Sequence, residues 1–202
     1  MLHTALLTAQ TFQISHFAPV TLGFFGLGTG YLIWGPQELF GYPARSPAAD
    51  RATGWWGVWL PGFCQFVTGV ILFVGMTWFQ VFKDPLLYMA ALAFSAYGIH
   101  WFALGLNRMQ GNEVRTNVGM SVAYTIISVL GLVTFFMGGG WPVGLLFVGL
   151  TWIYVADFFA SAGIAVAGRI LGLAHLCTGV WLMYLTFATT LNIVSGYSLP
   201  GG

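Results

Sequence analysis

Long apolar stretches separated only by short polar gaps constrain this chain more than any other feature. Each stretch holds about 20 residues, the number a helix needs to cross the roughly 30 Å hydrocarbon core of a bilayer. Only 11 of the 202 residues are Lys, Arg, Asp or Glu, and most of these fall in the gaps. With 58% hydrophobic residues, nothing sizeable remains to build a soluble domain. The expectation is an all-α integral membrane bundle, a single membrane domain over 1–202. A net charge of +1 gives no footing for nucleic acid or an acidic partner.

Six helical spans are expected, at about 16–34, 55–79, 86–106, 118–137, 141–163 and 169–194. Gly, Pro and polar clusters punctuate them at 35–50, 83–85, 107–117 and 138–142. Trp34, Trp55, Trp56, Trp78 and Trp141 fall at span ends, where amphipathic rings favour the headgroup layer. Cys64 and Cys177 both lie inside apolar runs, which argues against a disulfide between loops. The first fifteen residues carry no Lys or Arg, so no removable signal peptide is expected. The loops opposite the termini hold Arg45, Arg51, Arg108 and Arg115, with Arg169 at the last turn, against Lys83 alone on the terminal side. By the positive-inside rule the Arg-bearing loops are cytoplasmic and both termini external, in a cell membrane.

Glycine is abundant, with 28 residues, and Gly26 and Gly30 form a GxxxG pair in the first span. Small residues let helices approach closely in lipid, so tight packing is the plain reading of this pair. Polar side chains at membrane depth are costly and mark functional candidates. Four stand out: Gln65, His100, Asp157 and His175. Counted from the Arg-bearing end of each expected span, His100, Asp157 and His175 lie about 9 Å deep and Gln65 about 15 Å. Four helices thus bring polar groups toward one layer. Asp157 is the one acid expected inside a span, serving either as a proton or substrate contact or as a packing partner for a histidine. GFCQFVTGV (62–70) in span two echoes GLAHLCTGV (172–180) in span six, which pairs Gln65 with His175.

Several segments together suggest a family. GFCQFVTGVILF, AALAFSAYGIHWFALG and HFAPVTLGFFGLG resemble the second, third and first helices of the acetate uptake transporter family, and AGRILGLAHLCTGVWLMYLTFAT resembles its last. The resemblance implies six helices, a pore in each protomer, a homo-hexamer, and passage of acetate, succinate or related carboxylates, often with a proton. It implies an apolar constriction at Leu27 or neighbouring Phe25, with Tyr97 and Leu150. The Ala18-Pro19 pair opens helix one, whose free N–H groups attract a carboxylate. The chain departs from the family pattern at His16-Phe17, at Leu72 and Thr189 where acids are expected, and at His100 in place of an aromatic. The resemblance also accommodates both termini inside.

The function expected is a transporter or channel for small monocarboxylates, proton-linked, with Gln65, His100, Asp157 and His175 as a polar pore or proton relay. A channel for urea or short amides is the alternative. A redox subunit holding haem or a metal through His100 and His175 is a third reading, but no HxxxH or CxxC spacing supports it. No cofactor, metal or enzymatic activity is expected: the sequence shows no paired-carboxylate site, activated serine or phosphate-binding loop.

Overall fold

The structure, a computed structural model, describes residues 18–201. Six long helices run back and forth: α1 (Val20–Phe40), α2 (Pro47–Thr77), α3 (Leu86–Gln110), α4 (Asn117–Met137), α5 (Trp141–Ser161) and α6 (Ala165–Ser195). No strand occurs among the described residues. Five of the six are long and apolar enough to cross a membrane. The exception, α1, matches α4 and α5 at 21 residues, but five glycines and the Gly35-Pro36-Gln37-Glu38 end dilute its hydropathy.

Four helix ends differ from the sequence expectation by a turn or more; one is that of α3, which runs past 106 to Gln110. The start of the first expected span, at His16, lies outside the described residues. At its other end α1 does not stop at Trp34; it runs through Pro36 to a left-handed Gly41 at φ 71°. A proline inside a buried helix is tolerated where its neighbours re-satisfy the freed backbone groups, so Gly35-Pro36 is not a stop here. α2 begins two turns before Trp55, because Ser46 caps it through Ala49 N–H at 3.1 Å and Pro47 takes the first turn. It passes through a π-helical segment, Val58–Cys64, wound around Pro61, where the wider turn absorbs a residue that cannot donate to the ladder. α6 starts at Ala165, ahead of Arg169.

Glycine sets how closely these helices approach. α1 lies between α2 and α6. Gly26 and Gly30 face the π segment at Leu60, Cys64 and Pro61, while Gly28 faces Gly179 and Gly35 faces Gly172. The echoed segments of α2 and α6 therefore clasp the same helix from two sides. Trp55, Trp56, Trp78 and Trp141 are about half exposed or more, whereas Trp34 is buried, its Nε1–H donating to the Thr53 carbonyl at 3.1 Å. Trp34 thus braces α1 against α2 and does not sit in the headgroup layer.

Candidate functional site

Two cavities lie end to end along the bundle. One, of about 350 Å³, opens at the Arg-bearing end, where Arg45, Arg108, Asn112 and Glu113 form its rim. The other, of about 500 Å³, opens at the opposite end among Asp84, Trp141, Pro200 and Gly201. The helices that line both do so one turn apart. Leu27, Tyr97 and Leu150 line the second cavity, while Tyr31, His100 and Tyr154, three or four residues further along the same helices, line the first. At 1.5 Å per residue the wall between them is only ~4.5–6 Å thick.

Every side chain of this wall is buried: Leu27, Tyr31, Tyr97, Leu150 and Tyr154 are 1–2% exposed and His100 6%. Aromatic contacts hold it rigid. Tyr97 stacks on Tyr154 with ring centroids 5.6 Å apart, and Tyr124 packs against Tyr97, His100 and Tyr154. The Tyr97 hydroxyl is held by Ser128 Oγ at 2.9 Å, and the Tyr154 hydroxyl lies 3.2 Å from His100 Nδ1. Such fixed rings make an apolar barrier rather than a loose plug. Phe25, the alternative to Leu27, is 44% exposed and lines neither cavity. Two residues earlier on a helix turn it some 200° away from Leu27, toward the outer face of the bundle.

The cavity at the Arg-bearing end gathers His100, Asp157 and His175. Gln65 does not join them. It lies eighteen residues into α2, about 27 Å from Pro47, and lines the opposite cavity beside Leu27 and Tyr97. Its carboxamide is 1% exposed, and neither Nε2 nor Oε1 has a partner among the described residues. The echo between α2 and α6 thus reflects matched packing on α1, not a meeting of Gln65 with His175.

Asp157 has partners that its own apolar run concealed. Ser121 Oγ of α4 donates to Oδ2 at 2.6 Å, and Ser161 Oγ, one turn on, donates to Oδ1 at 3.2 Å. The acid beside His175 is Glu38, with Oε2 2.5 Å from Nδ1 and the Tyr31 ring stacked on the imidazole at 4.6 Å. Asp157 is therefore not the sole acid within the helices. Three carboxylates, Glu38, Asp157 and Glu113 at the rim, share this cavity with two imidazoles. At its rim Arg45 is held by both oxygens of Asp50 at 3.1 Å, while Arg108 lies 3.4 Å from the same carboxylate with its Nε lacking a hydrogen-bond partner among the described residues and its guanidinium over the Trp34 ring at 4.1 Å.

At the other mouth, Ala18 and Pro19 precede α1, and Val20, its first residue, lines the cavity. The Pro19 carbonyl accepts from Thr68 Oγ1 at 3.5 Å, tying the start of α1 to α2. Among the described residues no cluster of three metal-ligating side chains occurs. Glu38, Tyr31, Ser121, Ser161 and Tyr154 are the members that sequence reasoning missed. One signal pointed to two of them: Leu27, Tyr31, Trp34 and Glu38 follow at helical spacing along one face of α1.

These features define an all-α membrane bundle with a blind cavity entering from each end and a thin aromatic wall between. The same fold occurs in a solved structure, that of the bacterial acetate channel SatP: the two match with a TM-score of 0.73 over 92% of this chain and 98% of that one, at 19% sequence identity. The fold thus agrees with the acetate uptake transporter resemblance of the sequence. No protein-family model matches the sequence. No curated protein sequence matches it either.

Proposed function

We propose that this protein carries small monocarboxylates, acetate foremost and succinate as a larger member of the class, through a pore within each protomer. The observation that carries this reading is the pair of coaxial cavities divided by one helical turn at Leu27, Tyr97 and Leu150. A wall that thin and that apolar hinders a hydrated ion, which would have to shed its water, while a small acid crosses with its methyl group against the rings. The fold shared with the acetate channel SatP supports the same substrate class.

In this reading Leu27, Tyr97 and Leu150 form the constriction, and Gln65 meets the substrate in the cavity on the Ala18-Pro19 side. His100, Asp157, His175 and Glu38 handle substrate and protons on the Arg-bearing side. That side faces the cytoplasm and the termini face outward, following the Arg count. The protomers assemble as a homo-oligomer, a hexamer by resemblance, in a cell membrane. The work is transport and not catalysis.

A second reading, a conduit for urea or short amides, is favoured by one observation: the Gln65 carboxamide offers both a donor and an acceptor with neither engaged. Liposomes containing the protein separate the two. The carboxylate reading predicts labelled acetate uptake faster than in empty liposomes, faster still at acid external pH, and little gain for urea. Acetate uptake equal to that of empty liposomes refutes it, and a gain for urea alone selects the amide reading.

A further inference from the structure

Ser121 and Ser128 stand two turns apart on one face of α4, and both are 0% exposed. Each meets a polar side chain of a neighbouring helix as well as the carbonyl one turn back on α4. Ser128 Oγ lies 2.9 Å from the Tyr97 hydroxyl and 2.6 Å from the Tyr124 carbonyl. Ser121 Oγ lies 2.6 Å from Asp157 Oδ2 and 2.9 Å from the Asn117 carbonyl. A serine hydroxyl has one proton and gives it to one partner at a time. At Ser128 the bonds balance, because Tyr97 donates to Oγ and the serine proton goes to the carbonyl. At Ser121 the carboxylate and the carbonyl compete for that proton while Asp157 is ionised. The competition ends when Oδ2 itself carries a proton: Oδ2–H donates to Oγ, and the serine proton goes to Asn117. Only the hydroxyl turns between the two arrangements.

We infer that Asp157 is the proton-binding site of the conduit, with Ser121 positioning both its ionised and its protonated form. The inference rests on the transport reading above and assigns its proton to one residue. Around Asp157 the cavity is lined by Tyr31 and Glu38 of α1, His100 and Arg108 of α3, Tyr154 of α5, His175 of α6, and Arg45 and Glu113 at the rim. Arg45 and Arg108 lie against Asp50, and His175 against Glu38. Among the described residues Asp157 is the acid within the helices that no cation approaches; its partners are the hydroxyls of Ser121 and Ser161. A carboxylate shielded from water without a counter-charge is costly, and a bound proton removes that cost. It also removes one negative charge from the cavity, so a substrate anion enters at lower cost beside a protonated Asp157. There the Oδ2–H bond breaks as an O–H bond forms on the substrate carboxylate, and the neutral acid crosses the apolar wall. Passage in the other direction returns the proton to Oδ2.

Coupling of this kind makes acetate binding draw a proton onto the protein. Acetate is added to purified full-length protein in weakly buffered detergent, at a series of pH values, and proton uptake is read with a pH indicator dye. Bound acetate and thermal unfolding are measured alongside. Wild type should take up about half a proton or more per acetate bound at the pH of greatest uptake, as a tenfold coupling requires. Asp157→Asn copies the neutral acid in shape and keeps a donor for Ser121, so it should bind acetate no more weakly and take up almost no proton. Asp157→Ser gives the same reading where the carboxamide unfolds early, and His100→Gln and His175→Gln should keep the uptake. If wild type carries acetate but draws no proton with it at any pH, or Asp157→Asn and Asp157→Ser draw as much as wild type, this site is wrong and the transport reading stands. Loss of the uptake in a histidine variant alone also overturns it. If wild type neither binds nor carries acetate, both readings fall.

Discussion

Trimming the wall should convert a selective conduit into a leak, and Leu150→Ala is the cleanest cut. Leu150 is 1% exposed and lines the cavity opposite the Arg-bearing end, while Tyr154, one turn along, lines the other. Removing three carbon atoms from a wall only ~6 Å thick opens room for at least one water, whose share of liquid volume is about 30 Å³. A partly dehydrated anion at the constriction then regains about one charge-assisted hydrogen bond, worth ~1.5–3 kcal/mol. At 1.36 kcal/mol per decade this lowers the barrier enough to raise anion passage about 10- to 150-fold. The assay is chloride and acetate flux at neutral pH into liposomes of matched protein content. Chloride should gain the larger factor, since wild type excludes it more strongly. Chloride flux unchanged from wild type, in a variant that unfolds within a few degrees of it, would refute the placement of Leu150 in the barrier.

Other consequences follow from the same geometry. Phe25→Leu, on the outer face of α1, should leave acetate flux within about twofold of wild type; a larger loss would return Phe25 to the pathway. Gly26→Val drives a side chain into the Leu60 carbonyl and Cys64, and should lower stability by about 1–3 kcal/mol, read as earlier thermal unfolding in detergent. Ser121→Ala removes the 2.6 Å donor from Asp157 Oδ2 and should cost about 1–3 kcal/mol in the same assay, whereas a neutral result would mean that Asp157 does not depend on α4.

The membrane class and the helical architecture were legible because lipid leaves the backbone few choices and apolar runs declare themselves. Polar residues at matched depth were legible too: His100, Asp157 and His175 do share a cavity. Gln65 was misplaced because its depth was counted from Trp55, while Ser46 and Pro47 start α2 two turns earlier and carry Gln65 past the wall. Glu38 was hidden by Gly35-Pro36, a sequence that ends helices in water but not here, where packing on α2 and α6 carries α1 onward. Ser121 and Ser161 escaped notice because a serine in an apolar helix looks like any small packing residue. Only the meeting of α4 with α5 turns Ser121 into a partner of Asp157. Phe25 and Leu27 could not be separated by spacing to a motif; the helical phase of α1 against its neighbours separates them.

The central claim is a conduit interrupted at a single turn, and sided thiol labelling tests it most directly. In a background with Cys64 and Cys177 replaced by Ser, Leu146→Cys and Ile153→Cys put one thiol on each side of Leu150, seven residues apart on α5. A membrane-impermeant thiol reagent should modify Leu146→Cys from one face only and Ile153→Cys from the other face only, with acetate slowing both reactions. Modification of both positions from the same face, or of neither from any face, would contradict the account.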